Sequence, residues 1–278
     1  MKPNSKTFQS LALALLLAGL SACQSTTTTT AGGSCRSGGR GPGAHVSMCS
    51  ALDFQDVDGA KNFGQSLKLK SPFTAGILLG ERWPDGSQLR VYFMNDPYHL
   101  KDRVLFLAND WHRRAGARLS FVEGIPDAND IRVSFLASGY WSVLGTQAKD
   151  IRRSEPTMSL SFLSVPDSTE LRRVTLHEFG HAIGLIHEHQ QPLSTIHWDY
   201  AKTHQYYEGP PNCWTPQMVD DNVIRRRSAS SDLDTTQFDP ESIMEYPVDP
   251  SLTTDGKGND WNTDFSELDK KFIARQYP

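Results

Sequence analysis

The order of the secondary-structure signals along the chain predicts an α+β domain. Segments with strand character come early and are interleaved with helical segments, and the second half shows little periodicity before a final helix. This order does not fit a regular βαβ repeat, in which each strand alternates with a helix. The length of 278 residues leaves room for one sizeable domain or two small ones.

The predicted strands alternate between polar and apolar residues or are rich in branched and aromatic side chains. They are QLRVYFM (88–94), RLSFVE (118–123), DIRVSF (130–135) and TMSLSF (157–162). The first half of the chain is therefore expected to supply most of one sheet.

Three helices are predicted beside these strands. The segment HLKDRVLFLANDWHRRAG has apolar residues at intervals of four, three and four from Leu100 to Trp111, and Gly116 is a suitable stop. A second helix is expected to begin near residues 167–170, whose side chains suit an N-cap and its reciprocal partner. The last helix begins at about Ser266.

The first 23 residues have the composition of an export signal. Lys2 and Lys6 precede the apolar run LALALLLAGL (11–20), which is too short to span a bilayer comfortably. The run ends in Leu-Ser-Ala-Cys at Cys23, which resembles the lipobox of bacterial lipoproteins and implies cleavage before Cys23 and acylation of its thiol. A lipid-anchored protein of a bacterial cell envelope, at the outer membrane or cell surface, is expected. The alternative is a plain secretory signal with an incidental cysteine.

Residues 24–75 are rich in Thr, Gly and Ser at their start, a composition that cannot bury a core and is typical of a flexible tether. The folded domain is therefore expected within residues 76–278. The formal net charge of -4 argues against a nucleic-acid partner. Membrane contact is expected only through the lipid anchor, and a monomer is expected.

The stretch TLHEFGHAIGLIHEH (175–189) holds four of the nine histidines. On a helix, His177 and His181 at i and i+4 lie within roughly 40° of each other, so that both rings can reach one metal ion. On an unbroken helix, His187 would lie about 15 Å along the axis from His177. It can join them only if the chain turns sharply, and Gly184 is the residue that can make this turn.

Three imidazoles with a fourth position open are typical of a catalytic zinc site that holds one Zn²⁺. Such an ion lowers the pKa of its water to about 7. Glu178 follows His177 but is rotated away from it, so its carboxylate can accept the proton of that water as a general base. His189 lies outside this spacing and is expected to be a solvated neighbour.

These residues resemble the metzincin zinc peptidases, through the long histidine motif HEFGHAIGLIH. Two further features resemble the astacin family. Glu188 directly follows the third histidine, and SIMEYP (242–247) is similar to the astacin Met-turn. The resemblance implies that Met244 lies under the metal site, and that Tyr246 is a switchable fifth zinc ligand and an oxyanion stabiliser.

The resemblance extends through most of residues 83–278, from WPDGSQLRVYF through GYWSVLGT (139–146) to FIARQYP at the end. It implies a metallopeptidase fold with a twisted, mainly five-stranded sheet, two long helices above the zinc and an irregular lower half that ends in a helix. It also implies that protein or peptide substrates bind in extended form. TMSLSF would then be the edge strand that pairs antiparallel with the substrate.

The sequence leaves three questions open. A metzincin peptidase outside the astacins would lack the role of Tyr246, and a zinc-binding surface lipoprotein without catalysis would act as a binding module. Residues 24–75 are either a tether alone or include an inhibitory pro segment, with Cys35, Cys49 or Asp58 in the fourth zinc position. The disulfide pairing among Cys35, Cys49 and Cys213 cannot be read from the sequence.

Overall fold

Nine short strands and six helices form the part of the protein that the computed structural model describes, residues 76–278 except positions 138, 163 and 211, together with the backbone of residues 49–51. The strands are β1 (Cys49–Ala51), β2 (Gly76–Leu78), β3 (Gln88–Phe93), β4 (Ser120–Glu123), β5 (Ile131–Ser134), β6 (Tyr140–Ser142), β7 (Met158–Leu160), β8 (Leu185–Ile186) and β9 (Leu233–Asp234). The α+β class predicted from the sequence is confirmed, and β3, β4, β5 and β7 lie within the predicted strand segments.

The large sheet has the order β1-β6-β7-β5-β3-β4. Strands β4, β3, β5 and β7 are mutually parallel, whereas β6 runs antiparallel to β7. Strand β1 extends these five strands by pairing parallel with β6, with Cys49 opposite Tyr140 and Ala51 opposite Ser142. The expectation that TMSLSF forms the edge strand is wrong, because β7 has a hydrogen-bonded neighbour on each side and β6 lies outside it.

The helices are α1 (Lys101–Ala108), α2 (Asp110–Arg113), α3 (Ser168–Ala182), α4 (Tyr200–Glu208), α5 (Pro216–Val219) and α6 (Glu267–Gln276). The first predicted helix is thus two consecutive helices that meet at Asn109. The Asn109 amide donates hydrogen bonds to the carbonyls of Leu105 and Phe121, at 2.9 and 2.8 Å, and so ties this junction to β4. Ser266 caps α6 in a reciprocal capping box with Asp269, as the sequence pattern of this helix suggests.

Among the described residues, a larger and a smaller hydrophobic core stabilise the domain, beside a third cluster of only three buried residues, Leu78, Leu144 and Ile186. The larger core packs the sheet against α1 and α3, and Phe121 of β4 meets Phe179 of α3 edge-on with ring centroids 4.9 Å apart. The smaller core lies in the irregular second half and contains Trp198, Trp214 and Tyr246. The first two histidines of the motif lie on α3, which packs in the larger core. Residues from the second half of the chain contact this part of α3.

Most of the N-terminal predictions lie outside the described residues, including Cys23, Cys35 and Asp58. Cys213 is disulfide-bonded, and its partner lies outside the side chains that the structure describes. None of the described helices is both long and apolar enough to cross a membrane.

Candidate metal centre

Helix α3 presents the first two histidines of the motif from its buried C-terminal half. Asp167 is its N-cap and accepts hydrogen bonds from the backbone N–H groups of Thr169 and Glu170, both at 2.8 Å. His177 and His181 lie one turn apart, and both side chains are buried. The capped start and the apolar packing of α3 therefore hold both rings at fixed positions.

The chain turns sharply directly after α3. Gly184 has a φ of +96°, in the region that glycine adopts without a Cβ clash, and its N–H donates to the carbonyl of His181 at 2.8 Å. The two residues of β8 follow and pair antiparallel with β2. His187 comes next and is thereby brought back towards the helix that carries His181.

Two aromatic side chains satisfy the carbonyls at the end of α3. The indole N–H of Trp83 donates to the carbonyl of Ala182 at 2.8 Å, and the hydroxyl of Tyr277 donates to the carbonyl of Ile183 at 2.7 Å. Tyr277 also accepts a hydrogen bond from the backbone N–H of Trp83. The beginning and the end of the domain thus jointly fix the residues that precede the turn at Gly184.

The three histidine rings converge on one point. The Nε2 atom of His181 lies 3.1 Å from Nε2 of His177 and 3.2 Å from Nε2 of His187. Zinc bound at about 2.0–2.1 Å in tetrahedral geometry places its ligand nitrogens roughly 3.3 Å apart, which is close to these separations. The chemistry and the spacing of these donors therefore fit one zinc ion.

The proton positions on these rings follow from their partners. The Nδ1 atom of His177 faces the carbonyl of Ile243 at 2.8 Å, and Nδ1 of His181 faces the carbonyl of Leu185 at 2.7 Å. Because a carbonyl only accepts hydrogen bonds, Nδ1 carries the proton in both rings and Nε2 presents a lone pair. Two such lone pairs at short distance repel each other, so a cation bound between them would stabilise this arrangement.

Burial keeps these rings neutral. It lowers the pKa of His181 to about 4, and it lowers the pKa of His177 and of His187 well below the ordinary value, with the charge of His181 as the second cause. A metal ion binds the neutral imidazole, so the site is ready for a metal at neutral pH.

Glu178 is completely buried on α3, one residue after His177. The residues of SIMEYP approach the same end of the helix from the second half of the chain. The carbonyl of Ile243 meets His177, and the carbonyl of Met244 accepts a hydrogen bond from the backbone N–H of Glu188 at 3.0 Å. The Met-turn segment thus contacts the chain on both sides of Gly184.

The carboxylate of Glu188 is a link between the histidine motif and the second half. Its Oε1 atom accepts hydrogen bonds from the backbone N–H of Asp239, at 2.8 Å, and from the amide of Gln191. Burial raises the pKa of Glu188 to about 8. The sequence prediction of a structural role for Glu188 agrees with these contacts but stays a prediction.

Tyr246 is buried against the histidine cluster. Its ring centroid lies 4.2 Å from that of His187 and 6.1 Å from that of His177, and the planes of Tyr246 and His177 differ by 21°. The ring also belongs to the smaller core. The smaller core therefore places the Tyr246 ring against two of the three histidines, His177 and His187.

The expectation that His189 is solvated is wrong. Its side chain is 1% exposed and its ring stacks on Tyr246 at 4.7 Å and on His187 at 5.2 Å. The short helical turn after His187 directs the side chain inwards, which periodicity in the sequence does not reveal. His189 is therefore part of the packing around the metal centre.

Comparison with solved structures identifies the relatives of this chain. One match, described as the structure of myroilysin, has 37% sequence identity and a TM-score of 0.68, and it covers 73% of this chain and 98% of the match. A second, described as the crystal structure of myroilysin, has 33% identity and a TM-score of 0.53 over 82% of this chain and 100% of the match. The chain belongs to the astacin family. It is a zinc metallopeptidase.

A third match is too distant to carry functional information. It is High choriolytic enzyme 1, a hatching enzyme zinc-protease from the medaka fish Oryzias latipes, with 14% identity and a TM-score of 0.48 over 71% of this chain and 94% of the match. No protein-family model and no curated protein matches this chain. As a peptidase of the astacin family, the protein acts on proteins or peptides, and its buried histidines suit one zinc ion.

Two features of this astacin-family site were not predicted from the sequence. Gly180 lies within the histidine motif, and a Cβ atom there would clash with the sulfur of Met244. The carbonyl of Ile243, which orients His177, is a backbone group that any residue type provides. Gly180 is visible in the sequence, but the need for glycine at this position appears only in the folded protein, where Met244 packs against it.

Proposed function

We propose that this chain is an endopeptidase in which His177, His181 and His187 bind zinc and Glu178 is the general base. The observation that carries the proposal is the convergence of three buried Nε2 atoms, next to a fully buried carboxylate on the same helix. When bound, zinc polarises a carbonyl group as a Lewis acid and lowers the pKa of a water molecule to about 7. The protein side chains transfer the proton and stabilise the developing charge.

Glu178 moves the proton in this scheme. Its carboxylate accepts a proton from the attacking water as the C–O bond forms, and it donates that proton to the amine nitrogen as the C–N bond breaks. Glu178 lies roughly 100° around α3 from His177, so its carboxylate does not point in the same direction as the ring of that zinc ligand. Its complete burial removes it from bulk water, so its charge acts strongly on the reacting atoms.

Tyr246 is proposed to stabilise the negative charge that develops on the carbonyl oxygen, with its hydroxyl as the hydrogen-bond donor. A donor that is already oriented costs no reorganisation during the reaction. The contacts of the Tyr246 ring with His177 and His187 support this role.

The test is the substitution Glu178→Gln, measured on casein and on a quenched peptide. We expect peptide cleavage to fall by about 10²–10⁴-fold, because the amide cannot accept the proton. The zinc content, measured on the same preparation, is expected to stay at one ion per chain. Glu241→Gln, which changes an exposed carboxylate, is the matched control and is expected to retain full activity.

The same experiment tests the proposal against a zinc-binding module without catalysis. If the wild-type protein, freed from residues 24–75, binds zinc tightly but cleaves neither substrate, the protein is a binding module. If Glu178→Gln cleaves as fast as the wild type, Glu178 is not the general base.

The substrate is proposed to bind as an extended strand antiparallel to β6. Among the strands of residues 76–278, β6 lies at the edge of the large sheet and also contacts α3, which carries the metal centre. An edge strand presents backbone groups that can pair with a peptide. This assigns the substrate to β6 in place of β7.

Residues 24–75 are proposed to include an inhibitory pro segment as well as a tether. Strand β1 pairs with the outer side of β6, so that its backbone takes the place proposed for the substrate. It runs parallel to β6 and thus opposite to the proposed substrate direction. We expect a chain that begins near residue 72 to be more active than the full-length protein, and equal activity would contradict the inhibitory role.

The protein is proposed to be exported through residues 1–23 and anchored by acylated Cys23. The disulfide bond of Cys213 agrees with an oxidising compartment. We expect Cys23→Ser to move the protein from the membrane fraction to the soluble fraction of cells. An unchanged distribution would favour a secreted protein without an anchor.

A further inference from the structure

The fourth histidine of the motif lies against the proposed oxyanion donor. The rings of His189 and Tyr246 are stacked, with centroids 4.7 Å apart and planes that differ by 28°. We propose that His189 is a positioning residue that holds the phenol of Tyr246 at the metal centre. This inference rests on the proposed role of Tyr246, and it assigns His189 no contact with the substrate or the metal.

His189 is itself held in a fixed orientation by another part of the chain. Its Nε2 atom lies 3.0 Å from the backbone carbonyl of Asn222, which follows α5 in a π-helical turn (Asp220–Ile224). This carbonyl only accepts, so Nε2 carries the proton and donates. The indole of Trp198 meets the His189 ring edge-on, with centroids 6.4 Å apart. The Asn222 carbonyl and the Trp198 indole therefore set the plane of the His189 ring independently of Tyr246.

The turn that holds Asn222 is fastened to the segment of His189 by further hydrogen bonds. The amide of Gln190 donates to the carbonyl of Asp221 at 2.6 Å, and the backbone N–H of Arg227 donates to the carbonyl of Gln190 at 2.9 Å. Hydrogen bonds from the Gln190 side chain and to the Gln190 carbonyl thus fasten the segment of His189 to the chain on either side of Asn222. Such a support is suited to keeping a second ring in place.

The carboxyl group of Glu245 does not hold His189. Its Oε1 atom lies 3.9 Å from Nδ1 of His189, which is too far for a hydrogen bond, and it accepts instead from the backbone N–H of Tyr246 at 3.1 Å. The Nδ1 atom of His189 has no hydrogen-bond partner among the described residues. Stacking is therefore the contact through which His189 acts on Tyr246.

Tyr246 lies against three histidine rings, and only His189 is not a proposed zinc ligand. Removal of the His189 ring would open a ring-sized space beside the phenol. The phenol would then rotate or shift, and a displacement of about 1 Å of a group that acts in the transition state can cost roughly 100-fold in rate. Because Tyr246 is proposed to act on the transition state, the loss is expected in kcat and not in KM.

The experiment is a double-mutant cycle of His189→Ala and Tyr246→Phe, with kcat, KM and zinc content measured for all four proteins. We expect each single substitution to lower kcat by roughly 10- to 100-fold with KM and zinc content unchanged. In the Tyr246→Phe background, His189→Ala is expected to change kcat by less than about twofold, because the group that it positions is absent. His189→Phe keeps a flat ring for stacking but loses the hydrogen bond to Asn222, and it is expected to restore part of kcat.

The orientation of the Tyr246 phenol can also be followed in the metal-free protein. The near-ultraviolet circular dichroism that Tyr246 contributes is obtained as the difference between metal-free proteins with and without Tyr246→Phe. We expect this contribution to shrink in the His189→Ala background and to persist with His189→Phe. If His189→Ala does not fold, His189→Leu fills the space without a flat ring and takes its place in the cycle.

Two results would overturn the inference, and they differ from each other. If His189→Ala lowers kcat by the same factor with and without Tyr246→Phe, His189 does not act through Tyr246, while the role of Tyr246 stands. If Tyr246→Phe leaves kcat unchanged, the proposed role of Tyr246 fails and the inference fails with it.

Discussion

Gly180 packs against the thioether of Met244 so closely that a side chain at position 180 has no space. A Cβ atom there would overlap the sulfur of Met244 and lie 3.0 Å from Cζ2 of Trp111. The close approach brings the residue before Met244 to α3, where the carbonyl of Ile243 meets Nδ1 of His177 at 2.8 Å. The glycine between the first two histidines thus fixes the separation between the helix and the Met-turn.

Substitution of Gly180 by alanine is expected to destabilise the protein by about 1–3 kcal/mol, because the extra methyl group overfills a closely packed contact. Displacement of the Met-turn would also weaken the hydrogen bond to His177, so we expect a lower zinc affinity. Second neighbours of a metal ligand typically change metal affinity by about 10–100-fold. Urea unfolding and zinc competition with a chelator measure the two effects.

Gly80→Ala is the matched control, since a Cβ atom at Gly80 meets no atom within 4 Å. It is expected to leave stability and zinc affinity within measurement error. Equal behaviour of the two alanine variants would mean that the contact between Gly180 and Met244 does not govern the site.

Tyr277→Phe removes the hydroxyl that caps the end of α3. The carbonyl of Ile183 then loses its 2.7 Å hydrogen bond in a buried place, which costs about 1–3 kcal/mol. Thermal unfolding of the metal-free protein measures this cost. Tyr200→Phe removes an exposed hydroxyl on α4 and is expected to have no effect. A midpoint that moves as much for Tyr200→Phe as for Tyr277→Phe would contradict the capping role.

The sequence predicts the fold class and four of the six strands of the large sheet, β3, β4, β5 and β7, because period-two patterns and caps are local signals. It does not reveal β1, β2, β6, β8 and β9, which are two or three residues long and exist through pairing across the chain. The position of β7 was also mistaken. Whether a strand lies at an edge depends on the neighbour that the fold supplies, here β6, and not on the residues of the strand.

The three histidines and the need for a turn at Gly184 follow from helix geometry alone, so this part of the site is readable from the sequence. The residues that surround the metal centre cannot be read from the sequence in this way. His189 was assigned to the solvent because its spacing excludes it from the metal, yet spacing says nothing about burial. Its place against Tyr246 depends on Asn222 and Trp198, which are distant in sequence and approach only in the folded chain.

Removal of zinc is expected to lower the thermal unfolding midpoint and to abolish peptide cleavage together. Without the ion, the lone pairs of His177 and His181 face each other at 3.1 Å, which is repulsive. A ligand present at 1,000 times its dissociation constant stabilises the native state by about 4.1 kcal/mol. Calorimetry with chelator, followed by addition of zinc, measures the loss and its reversal.

His177→Ala provides the control for chelation, because a protein that lacks one ligand has little zinc to lose. Its midpoint is expected to respond to the chelator much less than that of the wild type. An equal response would show that the stabilising ion lies elsewhere.

The pKa of Glu188, raised by burial to about 8, makes stability depend on pH with a defined sign. A carboxyl group whose pKa is raised in the folded state contributes its full stability below its unfolded pKa, here 4.5, and that contribution is lost as the pH rises through about 8. The slope for one such group is about 1.4 kcal/mol per pH unit. Glu188→Gln replaces the carboxyl group by an uncharged group that keeps an oxygen acceptor for the N–H of Asp239.

Urea unfolding of the metal-free wild type and of metal-free Glu188→Gln, from about pH 5 to about pH 9, separates this contribution from the rest. The buried histidines titrate in both proteins, but Asp269 and Glu245 interact with the charge of Glu188, so the difference measures Glu188 together with these two neighbours. We expect the variant to gain stability relative to the wild type as the pH rises, by several kcal/mol over the range. A difference that stays constant with pH would mean that Glu188 keeps an ordinary pKa in the folded protein.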